Sequence, residues 1–178
     1  MEIIMEKIKV YIEADPENVP KYAHETDAGM DVFANESVVI APGETKLIKT
    51  GIKLAIPEGY ECQVRPRSGL SLHTPLRICN APGTIDAGYR DEIGVIMENT
   101  SSQMIVWGHK IKILEENSWN HFTLDEKKNR PGWYTINKGD KIAQLVFKKY
   151  ERADLEIVPD VKAIGEDRGG GFGSTGHR

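Results

Sequence analysis

The sequence predicts an all-β fold, a sandwich or barrel of short antiparallel strands. Three observations lead there. Runs rich in Val and Ile recur at roughly ten-residue spacing. Turn signals separate them: "APGE" at 41–44, "PEG" at 57–59, "APG" at 81–83, "RPG" at 130–132 and "NKGD" at 137–140. Outside 114–128, no ten-residue segment carries a convincing 3.6-residue period.

Taken in order, "KIKVYIE" at 7–13 alternates, with Ile8, Val10 and Ile12 on one face. Asp31 opens a strand-like alternation beside a glycine in "TDAGMDVFA". The runs "SVVI", "TKLIKT", "IKLAI" and "YECQVR" follow between residues 37 and 65. A short helix is expected near 70–73. The stretch 80–97 reads as a hairpin, ending in the strand "EIGVIME". "KIAQLVFKKY" at 141–150 closes the series. Residues 100–133 stand apart. They are polar, weakly periodic, and hold all three tryptophans, Trp107, Trp119 and Trp133. They read as an insertion whose aromatic rings either pack onto the core or face a partner. The expected organisation is one domain over 1–178, with the insertion inside it and a flexible glycine-rich arm at 166–178.

Composition narrows the function. Lys and Arg number 23 against 27 Asp and Glu, a net charge of −4, which argues against general nucleic-acid binding. No apolar run approaches the ~20 residues of a membrane span. The N-terminus is acidic where a signal peptide is basic, so an intracellular, cytoplasmic protein is expected. Cys62 and Cys79 read as two reduced thiols rather than a disulfide. The five histidines show no zinc spacing.

Five short stretches carry more Gly, Asp, Ser and Arg than turns alone require. In "TDAGMDVFA" the candidate is Asp31. In "RPRSGLS", Arg67 offers a fork of donors suited to phosphate, Ser68 a hydroxyl, and Gly69 a close-approaching backbone N–H. In "NAPGTIDAGYRDEIGVIMEN", Asp86 sits beside a small turn, where a carboxylate next to an anionic ligand could deprotonate a water. In "KGDKIAQLVF", Gln144 is a lone amide in an apolar strand. The fifth stretch is the tail, "EDRGGGFGSTGHR". Each alone also reads as an ordinary turn or edge feature.

Their joint occurrence, in this order, closely resembles the five motifs of the homotrimeric dUTPase family: "AGMD", "PRSGLS", "GTIDAGYRDEIGV", "GDKIAQLVF" and "GGGFGSTG". The resemblance implies a jelly-roll-like β-barrel, a homotrimer with active sites shared between subunits, and Mg²⁺-dependent hydrolysis of dUTP to dUMP and pyrophosphate. That reaction limits uracil in DNA and supplies dUMP for dTMP synthesis. Asp86 falls on the catalytic aspartate that activates the water attacking the α-phosphorus. Tyr89 falls on the tyrosine packed under the deoxyribose, excluding a 2′-hydroxyl. Asn80, with backbone groups of Gly83, Thr84, Ile85 and 94–97 up to Met97, would read uracil. Arg67, Ser68, Gly69 and Gln144 would hold the phosphates, and Asp31 would reach Mg²⁺ through its waters. From the tail, Arg168 would meet the γ-phosphate and Phe172 would stack on uracil. Gly173, Ser174 and Thr175 would close on the terminal phosphates.

This sequence departs from the pattern in three places. Asp91 stands where the family usually has glycine. Three residues separate Arg168 from Phe172 where four are expected. The 100–133 link is long, and some phage members of the family carry an insertion there and act on regulatory proteins, so a regulatory partner through 100–133 is a second expectation. The related dCTP deaminases share the fold but supply a glutamate at the cytosine amine and lack this tyrosine pattern.

Overall fold

The structure, a computed structural model, describes residues 7–101 and 132–169. The chain is almost all β. The strands are β1 (Tyr11–Glu13), β2 (Met30–Phe33), β3 (Val38–Ile40), β4 (Thr45–Lys49), β5 (Lys53–Ala55) and β6 (Tyr60–Arg65). The helix α1 (Ser68–His73) follows, then β7 (Leu76–Ile78), β8 (Gly83–Ile85), β9 (Gly94–Asn99), β10 (Tyr134–Ile136) and β11 (Lys141–Lys149). All pairings are antiparallel. Among the described residues, one sheet runs β2-β11-β6-β8 and another β4-β9-β7, with two-stranded pairs β1-β5 and β10-β3 beside them.

Period-2 patterning explains the elements. In β9, Val95, Met97 and Asn99 face inward while their neighbours are half-buried. In β6, Cys62 and Val64 point inward, leaving Gln63 and Arg65 on the other face. Strand β11 breaks strict alternation. A register shift lies between Lys141 and Ala143, so Ile142 and Ala143 are both buried in sequence. The core is aliphatic: Val32, Ile40, Ile48, Ile52, Val95, Ile136 and Ile142 are fully buried. Each such side chain contributes ~1.5–3 kcal/mol.

The expected short helix is present and slightly longer than 70–73. The 80–97 hairpin is not. β8 pairs with β6 and β9 pairs with β4 and β7, so the two strands belong to different sheets. The intervening residues carry the chain from one sheet to the other. The alternation in β9 specifies a buried face, and two neighbours share it; periodicity does not name them.

Buried Asn99 fastens both ends of the long insertion. Its amide donates to the carbonyls of Ile40 (3.0 Å) and Gly132 (2.6 Å), and its Oδ1 accepts from Ser101 N and Oγ (3.1 and 2.7 Å). Residues 101 and 132 therefore meet at one point. Trp107 and Trp119, and the roles expected of the segment between, lie outside the described residues.

After β11 the chain leaves the body. Leu155, Ile157, Val161 and Ile164 are exposed, Ile157 completely. An apolar groove of about 700 Å³ opens elsewhere on the molecule, lined in part by Ile8, Val10, Pro20, Met30, Leu145 and Phe147. No helix among the described residues is long and apolar enough to cross a membrane.

Candidate functional site

Strand register gathers three of the five motifs. Gln144 on β11 lies opposite Asp31 on β2 and opposite Arg65 on β6. The chain then passes Pro66 and reaches Arg67, which precedes α1; Ser68 and Gly69 open that helix. Arg67 Nε donates to Asp31 Oδ1 at 3.2 Å and its Nη1 to the Lys141 carbonyl at 3.1 Å. Gln144 Nε2 lies 3.4 Å from the same Asp31 Oδ1. Lys141 Nζ sits 2.8 Å from Asp31 Oδ2. Gly29, from the first motif, makes room: a Cβ there would meet Gln144 Oε1 at 3.1 Å.

The Asp31 side chain is 7% exposed, yet it is ionised with ease. Burial pushes its carboxyl up; the Lys141 hydrogen bond, the charges of Arg67 and Lys141, and the Gln144 amide pull it further down, below the usual carboxylate range. Its expected contact with hydrated magnesium would add to the bonds seen here, since a carboxylate oxygen accepts more than one. Both oxygens are already engaged, by two cations and an amide, so Asp31 is the anchor that aims Arg67 and Gln144. No group of three or more His, Cys, Asp or Glu among the described residues could hold a metal ion. A cation that arrives bound to its ligand needs no such group. Lys141, absent from the sequence-based candidates, completes the cluster; its signal was a cation next to the turn that starts β11.

The other candidates form a second group. β8 lies along β6 with Gly83 opposite Val64 and Ile85 opposite Cys62. The Ala81–Pro82 peptide bond before it is cis. The Asn80 amide covers Gly83, where a Cβ would meet Asn80 Nδ2 at 3.0 Å. Thr84 is exposed and Ile85 half-buried. Asp86 follows directly and is exposed. Its carbonyl accepts from Tyr89 N at 3.0 Å, closing a tight turn, and the Tyr89 hydroxyl donates to the Glu92 carbonyl at 3.0 Å. Met97 is expected to offer a backbone group, not its side chain. It is fully buried, in the middle of the three-stranded sheet between Lys46 and Ile78. Its side chain belongs to the core because it shares the inward parity of Val95 and Asn99.

By register, the Asp86 end of the second group lies away from the first. β2 and β8 are opposite edges of the four-stranded sheet. Asp86 follows the Cys62 register and Arg67 lies five residues further along, about 16 Å at ~3.3 Å per residue. Arg168 is exposed beyond the last turn, Val161–Ala163. Phe172, Gly173, Ser174 and Thr175 lie outside the described residues. Both cysteines are free; Cys62 is buried, its thiol pushed up to about 12 by desolvation and then by Glu61, while Cys79 is exposed.

Residues 15–113 match the family model described as dUTPase. The deoxyuridine 5′-triphosphate nucleotidohydrolase of Clostridium tetani is 40% identical over 171 residues, 95% of this chain and 96% of its own. That of Clostridioides difficile is 40% identical over 173 residues, covering 97% and 99%. The chain belongs to the dUTPase family. Among solved structures, the Staphylococcus bacteriophage 80α dUTPase with dUpNHpp superposes with a TM-score of 0.75 at 31% identity, covering 96% of this chain and 99% of that one. The dUTPase of phage phi11 of S. aureus gives 0.69 at 30% identity over 87% and 99%. The phi11 enzyme coordinates a structural Mg(II) ion and carries a species-specific insert. The phage 80α dUTPase is one of the phage dUTPases that control transfer of virulence genes by a proto-oncogenic G protein-like mechanism. The all-β fold of this chain matches these relatives.

Proposed function

We propose that this chain hydrolyses dUTP to dUMP and pyrophosphate, as a homotrimer whose sites are completed between subunits. The observation that carries the reading is the separation of two complementary half-sites on one chain. One presents an exposed carboxylate, a tyrosine ring and a strand edge near a polar amide. The other presents a guanidinium, a hydroxyl and an amide held by a buried anion. A nucleotide has both ends, and two chains can supply what one cannot. The exposed apolar residues of 155–164 and the open apolar groove support association of copies, since each leaves surface that water does not favour.

In this reading Asn80 and the β8 edge take the base, and Tyr89 lies beneath the sugar. Asp86 accepts the proton of the water that attacks the α-phosphorus. Its exposure in the single chain leaves it free to face a neighbour's phosphate site. Arg67 and Ser68 neutralise charge that grows on the phosphates, with Gln144 beside them. Arg168, Phe172, Gly173, Ser174 and Thr175 close over the bound nucleotide. Magnesium, bound to the triphosphate, would supply further charge neutralisation there.

The test is pyrophosphate release across dUTP, UTP, dTTP and dCTP with and without Mg²⁺. Activity confined to dUTP, abolished by Asp86→Asn with binding retained, is the expected result. Near-normal kcat in Asp86→Asn would remove Asp86 as the base. The phage relatives support a second role, a regulatory protein partner through residues 100–133. Because Asn99 draws the ends of that segment together, joining residue 101 to 132 should delete it cleanly. Loss of a partner with turnover intact would establish the dual role.

A further inference from the structure

Residues 86–91 form a loop that carries both Asp86 and Tyr89, and its described side chains are half-buried or exposed. Such a loop needs anchors, because a ring that discriminates between sugars must not give way. Its entry is fixed by β8. Its exit is fixed at the turn after β4. Buried Thr50 donates its hydroxyl to the Ile93 carbonyl at 2.6 Å, and Ile93 N donates to the Ile52 carbonyl at 2.8 Å. One residue nearer the loop, Glu92 makes two bonds of different kinds. Its Oε1 accepts from Gly51 N at 2.8 Å, and its carbonyl accepts from the Tyr89 hydroxyl at 3.0 Å. Gly51 is itself backed by Asn18, 2% exposed, whose amide donates to Asn35 Oδ1 at 2.8 Å. A chain of contacts therefore runs from the body through Asn18, Gly51 and Glu92 to the phenol.

We infer that Glu92 is a positioning residue for sugar selection: it holds the Tyr89 ring against the body so that the ring, not the loop, decides what fits beneath the nucleotide. The inference rests on the reading that Tyr89 packs under the deoxyribose. The carboxylate clamps the loop exit and the carbonyl clamps the ring, so removing the carboxylate frees both. A mobile ring excludes a 2′-hydroxyl poorly and packs a deoxyribose poorly. The loss falls on KM and on discrimination, while the proton-accepting Asp86 is untouched.

The experiment compares kcat and KM for dUTP and UTP in Glu92→Ala, Glu92→Gln, Tyr89→Phe and the double variant Tyr89→Phe/Glu92→Ala. Glu92→Ala should lower the dUTP-over-UTP ratio of kcat/KM by about fivefold or more, the size of one well-placed hydrogen bond, mainly through KM. Glu92→Gln, which keeps the acceptor for Gly51 N, should retain most of the ratio. Tyr89→Phe should lower it, and the double variant should fall no further than the worse single variant. A folded Glu92→Ala with the parental ratio, or single losses that multiply in the double variant, would overturn the assignment. Tyr89→Ala separates the premise from the inference: an unchanged ratio there overturns the reading of the ring itself, whatever Glu92 does.

Discussion

Gly51 offers the sharpest test of how the loop anchor is built. Its φ is +70°, and an added Cβ would meet Asn18 Nδ2 at 2.7 Å and Asn35 Nδ2 at 2.9 Å. Gly43 has nearly the same φ, +73°, with nothing within 4 Å of its Cβ position. The pair separates backbone strain from crowding. In Gly43→Ala only the left-handed conformation is penalised, about 1–2 kcal/mol, offset by ~0.4–1 kcal/mol from the stiffer unfolded chain. The net loss is about 1 kcal/mol. In Gly51→Ala the same term applies, and the Asn18–Asn35 pair must also part. Asn18 is buried, so its displaced amide loses a bond and gains no water, which adds about 1–3 kcal/mol.

The expected total for Gly51→Ala is about 3 kcal/mol. For a chain of this length each kcal/mol moves Tm by ~2–4 °C. Gly51→Ala should therefore lower Tm by about 6–12 °C and Gly43→Ala by about 2–4 °C, measured by circular dichroism in the same buffer and at the same protein concentration. Equal shifts would refute the reasoning, because they would mean that the asparagine pair yields without cost and does not support the turn. Gly51→Ala should also lower the dUTP-over-UTP ratio, since Gly51 N holds Glu92; Gly43→Ala should not.

Three further outcomes follow from the site. Asp31→Asn should destabilise by about 3 kcal/mol at pH 7, the penalty for unpairing a buried ion cluster. Because its folded pKa is lowered, Asp31 contributes in full above its ordinary value of about 3.9, and the contribution fades as the pH falls through the lower folded value. Urea titrations should thus give a constant difference from pH 8 to 5 that shrinks only below about pH 4; shrinkage above pH 5 would contradict the assigned partners. A thiol reagent should label one cysteine in the native protein, exposed Cys79, and reach Cys62 only on unfolding. Ending the chain at Asp167 should raise KM for dUTP by about tenfold with Tm unchanged, the loss of charge-assisted phosphate contacts; an unchanged KM would remove the tail from the site.

The strands were legible where one face is buried and one is not. β6 and β9 announce themselves by alternation, because one face of each is buried and the other is not. Asp31, Arg67, Asp86, Tyr89 and Gln144 were legible for a different reason: each falls on a position of the five-motif resemblance, and none stood out alone. What sequence could not carry is which strand lies beside which. Gln144 touches Asp31 across 113 residues, and Glu92 reaches Gly51 across 41. Lys141 and Glu92 look like surface charges until those pairings are known. The same blindness turned β8 and β9 into a hairpin. The correction has a functional consequence. With β8 in the sheet of β6 and β9 in the other sheet, the loop between them bridges two layers, and its exit must be tied to the second layer by something other than a ladder. Thr50, Gly51 and Glu92 are that tie. The residues that alternation could not reveal are thus those needed where a loop leaves one sheet and must be held still by another.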